Sequence, residues 1–168
     1  MHLLSITIDA DGSPSGHIAW YNYFTETSKI RTLRPLAKND KYGIQRMEML
    51  AIYFALSDNQ QQIDKIVSSQ SAKHFTINIR SDSKTTVEQL QGVSGIRDKV
   101  LQKIYVAIKK FSEKKNYTII NFNHLERTRN IAGLILEQRR RKEEEKLWVH
   151  QYHKDYYNRF MPYRLMTT

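Results

Sequence analysis

The 168-residue chain contains no cysteine, which excludes disulfides and thiolate metal sites and is compatible with a reducing cytoplasm, the expected location. No apolar run approaches the ~18 residues that a membrane-spanning helix needs, so no membrane partner is expected. The start, Met1-His2-Leu3-Leu4, has no basic stretch, long apolar stretch or cleavage site and does not read as a secretory signal. There is no Gly-x-Gly-x-x-Gly, no phosphate-binding loop and no Ser/His/Asp order, so dinucleotide binding and serine-type hydrolysis find no support. Internal repeats and low-complexity linkers are also missing.

Acidic charge is scarce: 17 Asp and Glu face 27 Lys and Arg, a net charge of +10 with a pI near 9.7. Such an excess points to a polyanionic partner, most simply nucleic acid. It is concentrated in residues 97–130, where nine basic residues meet three acidic ones. Lys109, Lys110, Lys114 and Lys115 in this segment are expected to contact phosphates without regard to sequence.

Against that background three acids stand where an acid is locally unexpected. Asp9 ends the alternating run Ser5-Ile6-Thr7-Ile8, Asp82 follows the run Phe75-Thr76-Ile77-Asn78-Ile79, and Glu48 interrupts a helical apolar pattern over Ile44, Met47, Met49, Leu50, Ala51, Phe54 and Ala55. Strand ends and the first turns of a helix can converge on one point. Three carboxylates meeting there repel one another unless cations lie between them, so the set implies hard, oxygen-loving ions such as Mg²⁺ or Mn²⁺. Asp11-Gly12-Ser13-Pro14-Ser15-Gly16 reads as turn chemistry. Asp11 is therefore the rival to Asp9, and the direct alternation of Ile6 and Ile8 into Asp9 decides for Asp9.

The pattern of elements predicts an α/β fold. Strands over 3–9, 17–24 and 29–36 form an antiparallel meander, followed by a helix from Ile44 to about Asp58 and a strand over 75–80. A short helix over 83–90, a longer helix over 97–115, a strand over 117–122 and a helical C-terminal stretch from about Thr128 complete the order. This describes a five-stranded mixed sheet flanked by helices, whose ligand crevice lies at the carboxyl ends of adjacent strands. Asp9 and Asp82 both fall at such ends.

Asp9-Ala10 after Ile-Thr-Ile, Arg46-Met47-Glu48-Met49-Leu50-Ala51, Arg80-Ser81-Asp82-Ser83-Lys84 and Arg127-Thr128-Arg129-Asn130 together resemble the successive motifs of the type 1 ribonuclease H family. The archaeal and plant-like branch, with Arg-x-x-Asn before its last helix, is the nearest pattern. The resemblance covers roughly residues 3–137. It implies four carboxylates holding two divalent ions, Mg²⁺ or Mn²⁺, that hydrolyse the RNA strand of an RNA/DNA hybrid. The first three carry over as Asp9, bridging both ions, with Glu48 and Asp82 each favouring one. Asp11-Gly12-Ser13 also has a counterpart in the family's first motif. The fourth carboxylate belongs at Leu134, after the small residue Gly133, and Glu137 one turn later on the same helix face is the expected replacement. Lys84, Arg127 and Asn130 join the lysines as substrate-binding residues. Two other readings stay open: a nucleic-acid-binding module that has lost catalysis, and a DNA-directed nuclease or strand transferase of the wider superfamily.

Residues 138–168 read as a basic and aromatic helical extension to a domain over 1–137. Arg139 to Lys146 can form basic–acidic pairs four residues apart, and Trp148, Tyr152, Tyr156 and Phe160 recur every four residues, with Tyr163 three later. This stripe is expected to pack on the body or on a second copy of the chain, with base stacking as the alternative. His17, His74, His150 and His153 show no liganding pattern.

Overall fold

The computed structural model describes the backbone of residues 4–33, 40–69, 75–113 and 118–160, and the side chains of these residues except 118, 149–150 and 152–160. Lys114, Lys115, His74 and Tyr163, and the side chains of His150, Tyr152, His153, Tyr156 and Phe160, lie outside the described set.

Alternation builds the sheet. In β1 (Leu4–Gly12), Ile6, Ile8 and Ala10 point to one face and are buried, while Ser5, Thr7, Asp9 and Asp11 point to the other. β2 (His17–Asn22) returns antiparallel to β1, and β3 (Thr27–Thr32) returns antiparallel to β2. β4 (Phe75–Ser81) runs parallel to β1, placing Asp9 opposite Arg80, and β5 (Thr118–His124) runs parallel to β4. The resulting five-stranded mixed sheet has the order β3-β2-β1-β4-β5. Parallel neighbours require crossovers, supplied by α1 (Gly43–Ser69) and, between β4 and β5, by α2 (Lys84–Leu90) and α3 (Lys99–Glu113).

α1 lies against β1, β2 and β4, and α3 packs on α1. Their shared core holds Ile6, Ile8, Met47, Ile52, Leu56, Phe75, Ile79, Leu101 and Ile108, all at most 3% exposed. On the opposite face, Ala132 and Leu136 of the first turns of α4 (Ile131–Phe160) pack against Ala19, with Ile30 and Ile135 beside them.

Two elements exceed the sequence expectation for identifiable reasons. β1 extends to Gly12, because Asp11 and Gly12 still pair with Ala19 and Ile18; the turn starts later than its composition implies. α1 continues through the polar stretch after Asp58 to Ser69. Asn59 there is fully buried, donating to the Ala55 carbonyl and accepting from Asn22, and Ile63 resumes the core stripe.

The chain divides into two compact units, residues 1–136 and 137–168. In the second, Glu137 pairs with Arg141 and Arg140 with Glu144, the pairing that four-residue spacing of opposite charges favours, and Trp148 is two-thirds exposed. No helix among the described residues is long and apolar enough to cross a membrane.

Candidate metal centre

Gly12 sets the geometry at the end of β1. A Cβ atom at this position would lie 2.6 Å from the backbone carbonyl carbon and oxygen of Met47 and 2.9 Å from the backbone nitrogen of Glu48. Only a residue without a side chain lets the strand abut the start of α1 this closely. The approach sets Glu48 beside Asp11. Asp82 arrives from the junction of β4 and α2. Ser81 Oγ accepts from Ser83 N, and Ser83 caps α2 by accepting from Thr86 N, so the backbone on both sides of Asp82 is held.

Asp11, Glu48 and Asp82 thus converge, each offering one oxygen within 4.8 Å of the others. Glu48 is 8% exposed, and its Oε2 is buried with no hydrogen-bond partner. An orphaned carboxylate oxygen of this kind costs free energy unless something positive meets it. Burial, followed by the charges of Asp11 and Asp82, pushes the Glu48 carboxyl far above the ordinary carboxylate range. The Asp11 carboxyl is also raised, chiefly by burial and then by Asp82. The Arg127 charge and the Gly12 N–H, which donates into the cluster, oppose these shifts only partly. Carboxylates that hold protons this tightly when empty, and that present only oxygen, suit a hard divalent cation. The residues present fit the metal that the motif pattern implies.

Asp9 does not belong to this cluster, which corrects the expectation that it bridges the ions. Its side chain is fully buried and saturated with donors. Arg80 reaches it from the neighbouring strand through Nε at 2.7 Å and Nη2 at 3.2 Å, Tyr23 donates its hydroxyl at 2.7 Å, and Ile131 N donates at 3.2 Å from the first residue of α4. Arg80, which stands opposite Asp9 on β4, is its ion-pair partner. Asp9 and Asp11 share a strand face, so alternation could not separate them; the signal that does is Gly12, whose missing side chain admits α1.

Other expected site residues also move. Asn130 is fully buried, with its amide donating to the Ala10 carbonyl and accepting from Gly133 N. It ties the start of α4 to β1, and its complete burial keeps the side chain from substrate. Lys109 donates to the Leu90 carbonyl at 2.8 Å and lies over the rings of Tyr105 and Phe122, so it is a packing residue and not a phosphate ligand. Lys84 is exposed, with a long 3.9 Å contact to Glu88, and Lys110 is exposed. Leu134, where a fourth carboxylate is expected, is 41% exposed, and the Glu137 carboxylate is engaged by Arg141. Gly133 approaches Asp11 closely, since a Cβ there would lie 3.3 Å from its Oδ2. Sequence reasoning left His124 without a place. It stands at the end of β5, with its ring Nε2 3.2 Å from the Asp82 carbonyl oxygen.

No family model matches the chain, and no curated protein sequence does. Solved structures do. LC11-RNase H1, isolated from compost by a metagenomic approach, superposes with a TM-score of 0.61 at 21% identity, covering 80% of this chain and 93% of that one. The fold is that of a type 1 ribonuclease H. RNase H1 from the halophilic archaeon Halobacterium salinarum gives a TM-score of 0.59 at 16% identity over 76% of this chain and 90% of its own. LC11-RNase H1 in complex with an RNA/DNA hybrid gives 0.57 at 21% identity over 74% and 88%. At these identities the likeness concerns the ribonuclease H fold and leaves chemistry to the residues.

Proposed function

We propose that this protein is a metal-dependent nuclease that hydrolyses the RNA strand of RNA/DNA hybrids, with Asp11, Glu48 and Asp82 holding Mg²⁺ or Mn²⁺. The observation that carries this reading is the convergence of three carboxylates around an unpartnered, buried Glu48 oxygen at the carboxyl ends of β1 and β4. The ribonuclease H fold and the net charge of +10 support a nucleic-acid substrate.

Divalent ions at this place, two in the full form of the proposal, supply activation of the attacking water and stabilisation of the leaving oxygen. The chain itself does the rest. Glu48, the most buried of the three, fixes the depth of the site, and its raised proton affinity makes loading favourable only when protons leave. Gly12 N–H orients the carboxylates of Asp11 and Glu48. Arg127 and the exposed Lys84 provide positive potential for the substrate backbone.

The test is cleavage of an end-labelled hybrid in Mg²⁺ and in Mn²⁺, beside duplex RNA and duplex DNA. Cleavage of the hybrid that Asp11→Asn abolishes supports the proposal, and cleavage of duplex DNA alone replaces hybrid with DNA as substrate. One observation favours a second reading, a binding module without catalysis: the fourth carboxylate position holds the exposed Leu134. Hybrid binding without cleavage in either metal selects that reading. If Leu134→Asp then introduces cleavage, the missing ligand is the cause.

A further inference from the structure

The outward face of α3 is basic and uncompensated. Lys99, Gln102, Lys103, Val106, Ala107 and Lys110 recur at three- and four-residue intervals and line a shallow depression of about 530 Å³, while Leu101, Ile104 and Ile108 fill the core on the opposite side. Lys99, Lys103 and Lys110 are exposed, and none of the three has an ion-pair partner among the described residues. Two acids flank the row: Asp98 accepts from Leu101 N and pairs with Arg46 at 2.8 Å, and Glu113, three residues beyond Lys110, makes no ion pair with it among the described residues.

This arrangement works against the helix that carries it. Lys99 stands in the first turn, where the macrodipole disfavours a cation, and the carboxylate that caps this end, Asp98, is already paired with Arg46. Lys99 and Lys103 also repel one another at four-residue spacing. A polyanion laid along the face relieves both penalties. The row runs ~16 Å along the helix axis at 1.5 Å per residue. The Arg46–Asp98 pair starts the row at the end of α1 that bears Glu48.

We propose that Lys99, Lys103 and Lys110 form a phosphate-tracking rail for a nucleic-acid backbone, with Val106 and Ala107 as its apolar floor. This inference rests on the nucleic-acid reading above, and it replaces the adjacent lysine pair at 109 and 110 with a row along one helix face.

The experiment measures binding of a fluorescent RNA/DNA hybrid by anisotropy from 50 to 200 mM KCl without divalent metal. Wild type is compared with the triple variant Lys99→Gln/Lys103→Gln/Lys110→Gln, and with a matched triple variant of exposed lysines elsewhere, Lys29→Gln/Lys41→Gln/Lys65→Gln. Each phosphate contact contributes ~0.7–0.9 to the salt slope, so across this range wild type should lose about 20–40-fold more affinity than the rail variant. The control variant should keep the wild-type slope. An unchanged slope in the rail variant, an equal fall in both variants, or no hybrid binding by wild type overturns the rail. Thermal melts confirm that the variants fold. Cleavage by wild type with an unaltered rail-variant slope defeats the rail alone, whereas a rail-dependent slope without metal-dependent cleavage defeats the nuclease alone.

Discussion

Asp9 and Asp11 are two residues apart, on the same face of the same strand, and their surroundings are opposite. Asp9 is enclosed by donors: a guanidinium, a phenol and a helix N-terminal amide. Asp11 is crowded by Glu48 and Asp82, with one backbone amide and the more remote Arg127 as relief. A buried charge with saturated donors is scaffold, because removing it strands its partners. A buried charge among like charges is a site, because the fold tolerates it only with a proton or a cation present. Asp9 is fully buried and Asp11 half-buried, but it is the sign of the neighbours that separates their roles.

The largest expected effect on stability falls on the saturated side. Asp9→Asn leaves Arg80 without its counter-charge, at a cost on the order of 3 kcal/mol, the low end for a buried pair because Arg80 is one-third exposed. Thermal unfolding should show a fall of roughly 6–12 °C for a chain of this size. An unchanged melting temperature would erase the distinction between the two acids.

Gly12→Ala comes next. Its Cβ would collide with the Met47 backbone, so α1 must shift, costing ~1–3 kcal/mol and separating Glu48 from Asp11. Metal affinity measured by calorimetry should fall along with the melting temperature. A stable variant with full metal affinity would show that the close approach is incidental.

Glu48→Gln should act in the opposite direction and depend on pH. The folded-state pKa of Glu48 is raised, so the metal-free protein has its full stability below the unfolded carboxyl pKa near 4.3 and loses stability as pH rises toward the folded value. The Gln variant has no such loss. Its advantage in metal-free melts should open between acid and alkaline pH, reaching ~1 kcal/mol or more once the folded and unfolded values differ by a unit. Wild type should regain the difference on adding Mn²⁺, and metal affinity should rise with pH as protons are displaced. A pH-independent difference would place Glu48 outside the cluster. The smallest effect is Lys109→Met, expected to lower stability by ~0.5–1 kcal/mol through its lost ring contacts while leaving the salt slope of hybrid binding unchanged.

Strand and helix order, the mixed sheet and two of the three clustered acids, Glu48 and Asp82, were legible in the sequence, because alternation and helical spacing record which face is buried. Asp11 was not, because Asp-Gly-Ser-Pro has turn composition and the strand continues through it by pairing with β2, a long-range fact. Lys109 was misread for a related reason. A lysine beside another in a basic helix looks solvated, and only the packed rings of Tyr105 and Phe122 and the Leu90 carbonyl reveal its inward turn. The end of α1 was obscured because a buried Asn59 that satisfies its own amide looks, in sequence, like an exposed one.

The central claim is that the cation binds at Asp11 and not at Asp9. Its most direct test is Mn²⁺ binding, followed by electron paramagnetic resonance, to wild type, Asp11→Asn and Asp9→Asn at a temperature where all three are folded. Asp11→Asn should weaken Mn²⁺ by about 100-fold or more, beyond the 10–100-fold typical of residues that only orient a ligand, while Asp9→Asn should remain within about tenfold of wild type. Loss of binding in Asp9→Asn with retention in Asp11→Asn would contradict that claim.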